Sequence, residues 1–111
     1  MEIAVRREPR LVIVDMVGEI DVTAVARIRE TLDDLTKTAS AQILVNLARA
    51  TYIDSSGLGI LMAARREALK GGGRLALCGM TKDVRMVLEL TRLNKFFEIY
   101  DDEAAARARF T

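Results

Sequence analysis

Hydrophobic positions along the chain switch between the spacing of strands and the spacing of helices. Nearly continuous apolar runs at residues 11–17, 42–47 and 74–79 predict buried strands. Apolar residues at helical spacing follow the first two runs, over residues 22–35 and 58–70. Because strands alternate with helices, we expect an α/β fold with a mixed, mostly parallel sheet of four to five strands and about four helices.

The two ends of the chain complete this pattern. Residues 3–7 alternate weakly before Pro9, which predicts an antiparallel edge strand followed by a turn. Thr81 is placed to cap a third helix, and residues 97–99 alternate as a short last strand. The acidic residues 101–103 are expected to open an alanine-rich terminal helix, because negative charge stabilises a helix start.

Small and polar segments are predicted to separate these elements. Residues 18–21 break the second strand, and residues 49–52 form a connection after the third. The three glycines at 71–73 end the second helix. They precede a strand rather than a helix, so they do not match a nucleotide-binding glycine fingerprint.

Length and charge restrict the type of protein. A chain of 111 residues fits one domain, taken as residues 1–111, and 17 basic residues nearly balance 16 acidic ones. This balance offers no general attraction for nucleic acid or an anionic membrane. No apolar stretch approaches a membrane span, and the first ten residues lack a signal-peptide pattern. We therefore expect a cytoplasmic protein without membrane insertion, or a domain of a larger one.

Several kinds of catalytic site are missing their essential residues. The chain has no histidine and one cysteine, Cys78, which we expect to be buried in the core. A Ser-His-Asp triad and a Cys/His zinc site are therefore excluded. No Gly-Lys-Ser/Thr phosphate loop is present either. We predict that the protein is not an enzyme and has no cofactor or metal.

The segment Asp54-Ser55-Ser56-Gly57-Leu58-Gly59 lies where a strand is predicted to meet a helix. Asp54 or Ser55 can cap this helix, which leaves Ser56 in the first turn with a hydroxyl that points to solvent. Gly57 has no side chain, so another protein could approach closely there. A helix start of this kind suits a phosphate, although a simple serine-rich cap is the alternative.

Asp21 occupies an equivalent position after another predicted strand. If the strands before Asp21 and Asp54 are parallel neighbours, the two carboxylates lie on one rim of the sheet. Such a pair could hold Mg²⁺ or act as an acid and a base. The alternative is that each aspartate caps its own helix.

The motif at residues 54–59 strongly resembles the signature of STAS domains, specifically the bacterial anti-sigma-factor antagonists. Residues 18–21 are similar to the first-loop motif of that family, and residues 46–54 to its approach to the site. Residues 72–79 and 87–99 resemble its fourth strand and its third helix with the last strand. Tyr52 differs, because the family often has phenylalanine there.

The resemblance implies a phosphorylation switch. Ser56, or less readily Ser55, would be phosphorylated by an anti-sigma factor that is also a serine kinase, and a serine phosphatase would reset it. The unphosphorylated protein, a monomer or weak dimer, would bind the anti-sigma factor and release the sigma factor. The implied partner contacts are Asp21, Asp54, Ser55, Ser56, Gly57 and Leu58, with Met86 and Leu90 either extending them or partly buried.

Two other functions remain open at this point. The chain could be a STAS subunit of a lipid-transport or stress-signalling assembly that is never phosphorylated. It could also be a small-molecule or nucleotide-binding module that uses the same helix start, although the absent phosphate loop disfavours this function.

Overall fold

The sheet of this computed structural model, which describes residues 1–110, has five strands in the spatial order of the chain. They are β1 (Glu2–Arg7), β2 (Val12–Ile20), β3 (Gln42–Ile53), β4 (Arg74–Cys78) and β5 (Glu98–Tyr100). β1 pairs antiparallel with β2, and every other neighbouring pair is parallel. The predicted mixed, mostly parallel sheet is therefore confirmed.

Four α-helices lie within residues 1–110: α1 (Val25–Thr36), α2 (Ser55–Lys70), α3 (Lys82–Leu90) and α4 (Glu103–Phe110). Short 3-10 turns cover Val22–Ala24 and Leu93–Lys95. The helix count agrees with the prediction, and α2 begins three residues before the predicted apolar run. None of these helices, within the residues described, has the length and apolarity to cross a membrane.

The sheet buries both of its faces, but with different helices. α1, α2 and α3 pack on one face, where their apolar side chains meet those of β2, β3 and β4. On the opposite face, Ala106 and Phe110 of α4 pack against Ile13 and Leu44. Cys78 belongs to this second cluster, as predicted, and burial raises its pKa to about 11. The Cys78 thiol is therefore buried in the core and uncharged at neutral pH.

Two predicted interruptions of the sheet are wrong. Residues 18–20 remain in β2 and residues 49–52 remain in β3, because these two segments pair with each other. The pairing shifts register between Asp15 and Val17 and again between Gly18 and Glu19. Gly18 has a positive φ of 95°, a conformation that glycine adopts without strain. The small and polar residues that suggested loops therefore mark irregularities within a longer strand pair.

Candidate functional site

The starts of two helical segments lie side by side at one rim of the sheet. Ile20 and Ile53 are paired at the ends of the parallel strands β2 and β3. The N–H of Asp54 then donates a hydrogen bond of 3.1 Å to the carbonyl oxygen of Ile20. Asp21 and Asp54 each follow one of these paired residues, so the expectation that they share a rim is confirmed.

Each aspartate caps the helical segment that follows it. Oδ1 of Asp21 accepts hydrogen bonds from the N–H and the hydroxyl of Thr23, at 3.0 and 2.5 Å. The hydroxyl bond in particular lowers the pKa of the Asp21 carboxyl. Oδ1 of Asp54 accepts a bond of 3.0 Å from the N–H of Gly57. Both carboxylates therefore satisfy backbone or hydroxyl donors at the start of a helical segment.

The capping geometry favours one of the two predictions made for this carboxylate pair. Each aspartate caps its own helical segment, which was the alternative to a magnesium or acid–base site. Across residues 1–110, no group of three or more His, Cys, Asp and Glu side chains is placed to hold a metal ion.

Ser55 and Ser56 are the first two residues of α2. Asp54, rather than Ser55, supplies the side-chain cap. Ser55 is exposed and Ser56 is half-buried. In the part of the chain that the structure describes, neither hydroxyl takes part in a hydrogen bond. Both hydroxyls are therefore available for chemistry or for a partner.

Gly57 and Leu58, two of the implied partner contacts, are buried. A Cβ on Gly57 would lie 2.7 Å from Cγ2 of Ile20 and 2.9 Å from its carbonyl oxygen. Leu58 is 3% exposed and packs in the core. The close approach that Gly57 permits within this chain is therefore between α2 and the end of β2, and its contact with a partner stays a prediction. Leu58 anchors the helix and offers almost no surface for contact.

A groove of about 420 Å³ opens between α1 and α2 and includes both serines. Its lining consists of small, apolar and polar residues with one cation: Val22, Val25, Arg29, Ser55, Ser56, Gly59, Ile60 and Ala63. Val22, one of these lining residues, is 67% exposed. Sequence reasoning missed Arg29 and Gly59 as groove residues. The helical spacing of Val22, Val25 and Arg29 was the available signal for Arg29.

A second exposed apolar surface lies on α3. Met86 is 49% exposed and Leu90 is 78% exposed. The alternative that both side chains are partly buried is therefore wrong for Leu90, whereas about half of Met86 is covered. Tyr52, near the end of β3, is also 47% exposed. Whether this surface contacts a partner stays a prediction.

The fold and the rim together define an α/β domain with one capped helix start exposed beside a groove. The chain belongs to the STAS domain family, whose profile matches residues 2–106. An anti-sigma F factor antagonist of Paenibacillus polymyxa is 27% identical over 107 residues, which cover 96% of this chain and 92% of that protein. An anti-sigma-B factor antagonist of Staphylococcus aureus is 27% identical over 82 residues, or 74% of this chain and 76% of that protein.

Solved structures show the same architecture. The anti-sigma factor antagonist SpoIIAA in its unphosphorylated form matches with a TM-score of 0.79 and 28% identity, over 97% of this chain and 96% of that one. The phosphorylated form of SpoIIAA from Bacillus matches with a TM-score of 0.74 and 25% identity, over 96% and 98% of the two chains. This chain is thus similar to a protein whose structure is known in both states.

Proposed function

We propose that this protein is an anti-sigma-factor antagonist controlled by phosphorylation of Ser56. In its unphosphorylated form it binds a kinase-type anti-sigma factor and so releases the sigma factor. The main support is Ser56, which lines the groove in the first turn of α2 and whose hydroxyl has no hydrogen-bond partner among residues 1–110. Relatives named as antagonists, over nearly the whole chain, support the same role.

Gly59 supports a close approach of another protein at this groove. It is exposed within α2, and a Cβ built there would meet no atom within 4 Å. A glycine inside a helix costs about 1 kcal/mol relative to alanine. Because nothing within this chain requires the missing side chain, we attribute it to the surface of a partner that packs against α2.

Phosphorylation would change the charge of this surface without needing a change of fold. The γ-phosphorus of ATP forms a bond to Oγ of Ser56 as its bond to the β,γ-bridging oxygen breaks. ADP leaves, and the hydroxyl proton passes to a base of the kinase. The phosphate adds about −1.5 to −2 charges near Asp54 and Asp21. The positive end of the α2 dipole tolerates this charge, so α2 remains folded.

The binding energy required for such a switch is modest. A hundredfold loss of affinity corresponds to about 2.7 kcal/mol. A dianion and a bulky tetrahedral group at a close interface can supply this through repulsion and steric conflict. A serine phosphatase would then restore binding by hydrolysing the phosphate ester. The proposal places the protein in the cytoplasm, where the sigma factor acts.

The direct test is phosphorylation with radiolabelled ATP by the kinase-type anti-sigma factors encoded in the source genome. We expect one phosphate on the wild type and on Ser55→Ala, and none on Ser56→Ala. Labelling of Ser56→Ala but not Ser55→Ala would move the site to Ser55. If no kinase of this class labels the protein, and phosphosite mapping from the native host finds both serines unmodified, the unphosphorylated STAS subunit replaces this proposal.

A further inference from the structure

Arg29 of α1 shares the groove with Ser55 and Ser56. α1 and α2 run in the same direction, because each follows one of the parallel strands β2 and β3. Side chains of a helix lean towards its N-terminus. With this tilt, the exposed side chain of Arg29, in the second turn of α1, would extend towards the end of the groove at which Ser56 lies.

The guanidinium of Arg29 has no polar partner among the described residues. Among residues 1–110 it forms no ion pair or hydrogen bond, whereas Arg6, Arg74 and Arg107 all bind carboxylates. The carboxylate one turn further along α1, that of Asp33, is not within ion-pair distance of it in the described structure. Asp21 and Asp54, at the rim, are occupied as helix caps. The groove therefore holds an available cation and two available hydroxyls.

We propose that Arg29 binds the phosphate carried by Ser56. The inference rests on the phosphorylation proposed above and names the residue of this chain that receives the phosphate. A guanidinium binds phosphate through two parallel hydrogen bonds, which gives the pair a defined orientation. The pair would lie across the mouth of the groove between α1 and α2. The surface beside Gly59 and Val22 would then be closed to a partner by the chain itself.

The competing arrangement is a phosphate held by α2 alone. The N–H groups of the first helical turn can bind an anion without any help from α1. The two arrangements differ in whether the charge of Arg29 affects the ionisation of the phosphate. A nearby cation stabilises the dianion and lowers the second pKa of a phosphoserine.

The test uses full-length protein with phosphoserine inserted at position 56 during synthesis, and ³¹P NMR to follow the phosphate through a pH titration. We compare the unaltered chain with Arg29→Gln, Arg29→Lys and Arg66→Gln. Arg66 is an exposed residue of α2, ten positions after Ser56, or about 15 Å along the helix. Arg66→Gln therefore removes the same charge away from the groove.

Arg29→Gln should raise the second pKa of the phosphate by a few tenths of a pH unit, the size expected of an exposed ion pair. Arg29→Lys should restore most of the difference, and Arg66→Gln should leave the titration unchanged. Equal titrations for Arg29→Gln and Arg66→Gln would overturn the proposal in favour of a phosphate held by α2 alone. Because the phosphoserine is inserted without a kinase, this result is independent of the kinase assay described above.

Discussion

The N–H of Asp54 donates a hydrogen bond of 3.1 Å to the carbonyl oxygen of Ile20, and this bond joins the start of α2 to the end of β2. The same carbonyl oxygen lies 2.9 Å from the position that a Cβ on Gly57 would occupy. The strand end and the first helical turn are therefore in direct contact. Changes in this turn should affect stability and function separately, as the following variants test.

Gly57→Ala should destabilise the fold. The new methyl group would meet Cγ2 and the carbonyl oxygen of Ile20 at less than 3 Å, and the backbone oxygen cannot move without disturbing β2. Overpacking of this kind costs about 1–3 kcal/mol. Urea unfolding followed by circular dichroism measures the loss, and an unchanged midpoint would mean that α2 can shift away from β2.

Gly59→Ala is the matched variant, and it should have the opposite effect on the isolated protein. Its methyl group would meet nothing within 4 Å, so helix propensity alone should stabilise the fold by about 0.5–1 kcal/mol. If a partner packs against α2 here, the same variant should bind the anti-sigma factor at least several-fold more weakly. Wild-type affinity, measured by calorimetry, would show that the partner does not approach Gly59.

Asp54→Ala should lower the free energy of unfolding by about 1 kcal/mol, because the N–H of Gly57 loses its side-chain acceptor. Asp54→Asn keeps an oxygen acceptor at the cap and should retain most of the stability. Comparison of the two urea midpoints isolates the cap. Equal losses in both variants would indicate that the negative charge, rather than the hydrogen bond, stabilises the helix start.

Phosphorylation of Ser56 should leave the backbone in place. Both the phosphorylated and unphosphorylated forms of SpoIIAA share the fold of this chain, with TM-scores of 0.74 and 0.79. In two-dimensional ¹H–¹⁵N NMR spectra, we expect shifts confined to the starts of α1 and α2. Shifts spread through α4, on the opposite face of the sheet from the groove, would instead indicate a rearranged domain.

Glu103 should make stability depend on pH in the acidic range. Its carboxylate accepts hydrogen bonds from Arg6 at 2.5 Å and Asn46 at 3.1 Å, which connect α4 to β1 and β3, and one of 3.1 Å from Arg107 within α4. These bonds, chiefly the one from Arg6, lower the pKa of Glu103 from 4.5 to about 2. Because the pKa is lower in the folded chain, the stabilisation is complete above pH 4.5 and is lost as the pH falls towards 2.

Urea midpoints between pH 7 and pH 3 measure the contribution of Glu103. Glu103→Gln should be less stable than the wild type at pH 7, by about 1–3 kcal/mol, and should lose less stability on acidification. Glu89→Gln is the control, since Glu89 is exposed on α3 and its carboxylate forms no ion pair within residues 1–110. Parallel pH profiles for wild type and Glu103→Gln would show that other carboxylates control the acid transition.

Local sequence patterns were sufficient for most of the elements. Two examples depend on only a few neighbouring residues. One is the cap of α3, where the hydroxyl oxygen of Thr81 lies 3.5 Å from the backbone nitrogen of Val84, and the other is the end of α2 at Gly71. The parallel pairing of β2 with β3 was also predictable from the helix between them. The ends of β2 and β3 could not be predicted in this way, because residues 18–20 and 49–52 are extended only through their pairing with each other.

The motif at residues 54–59 was equally visible in the sequence, but the role of each residue was not. Gly57 was predicted to face a partner, and the structure places it against Ile20. Gly59, two residues later, is the open position. Both are glycines in the same helix. They differ because one side of α2 packs on the sheet and the other does not.

The order of residues was enough to establish the alternation of strands and helices, the family resemblance and the position of two serines at a helix start. These properties depend on residue spacing and on caps that span a few positions. The tertiary structure alone decided that Arg29 and Ser56, 27 positions apart in the chain, share one groove. The physical reason is that two helices meet only after both have packed on the sheet, and no local pattern records that contact.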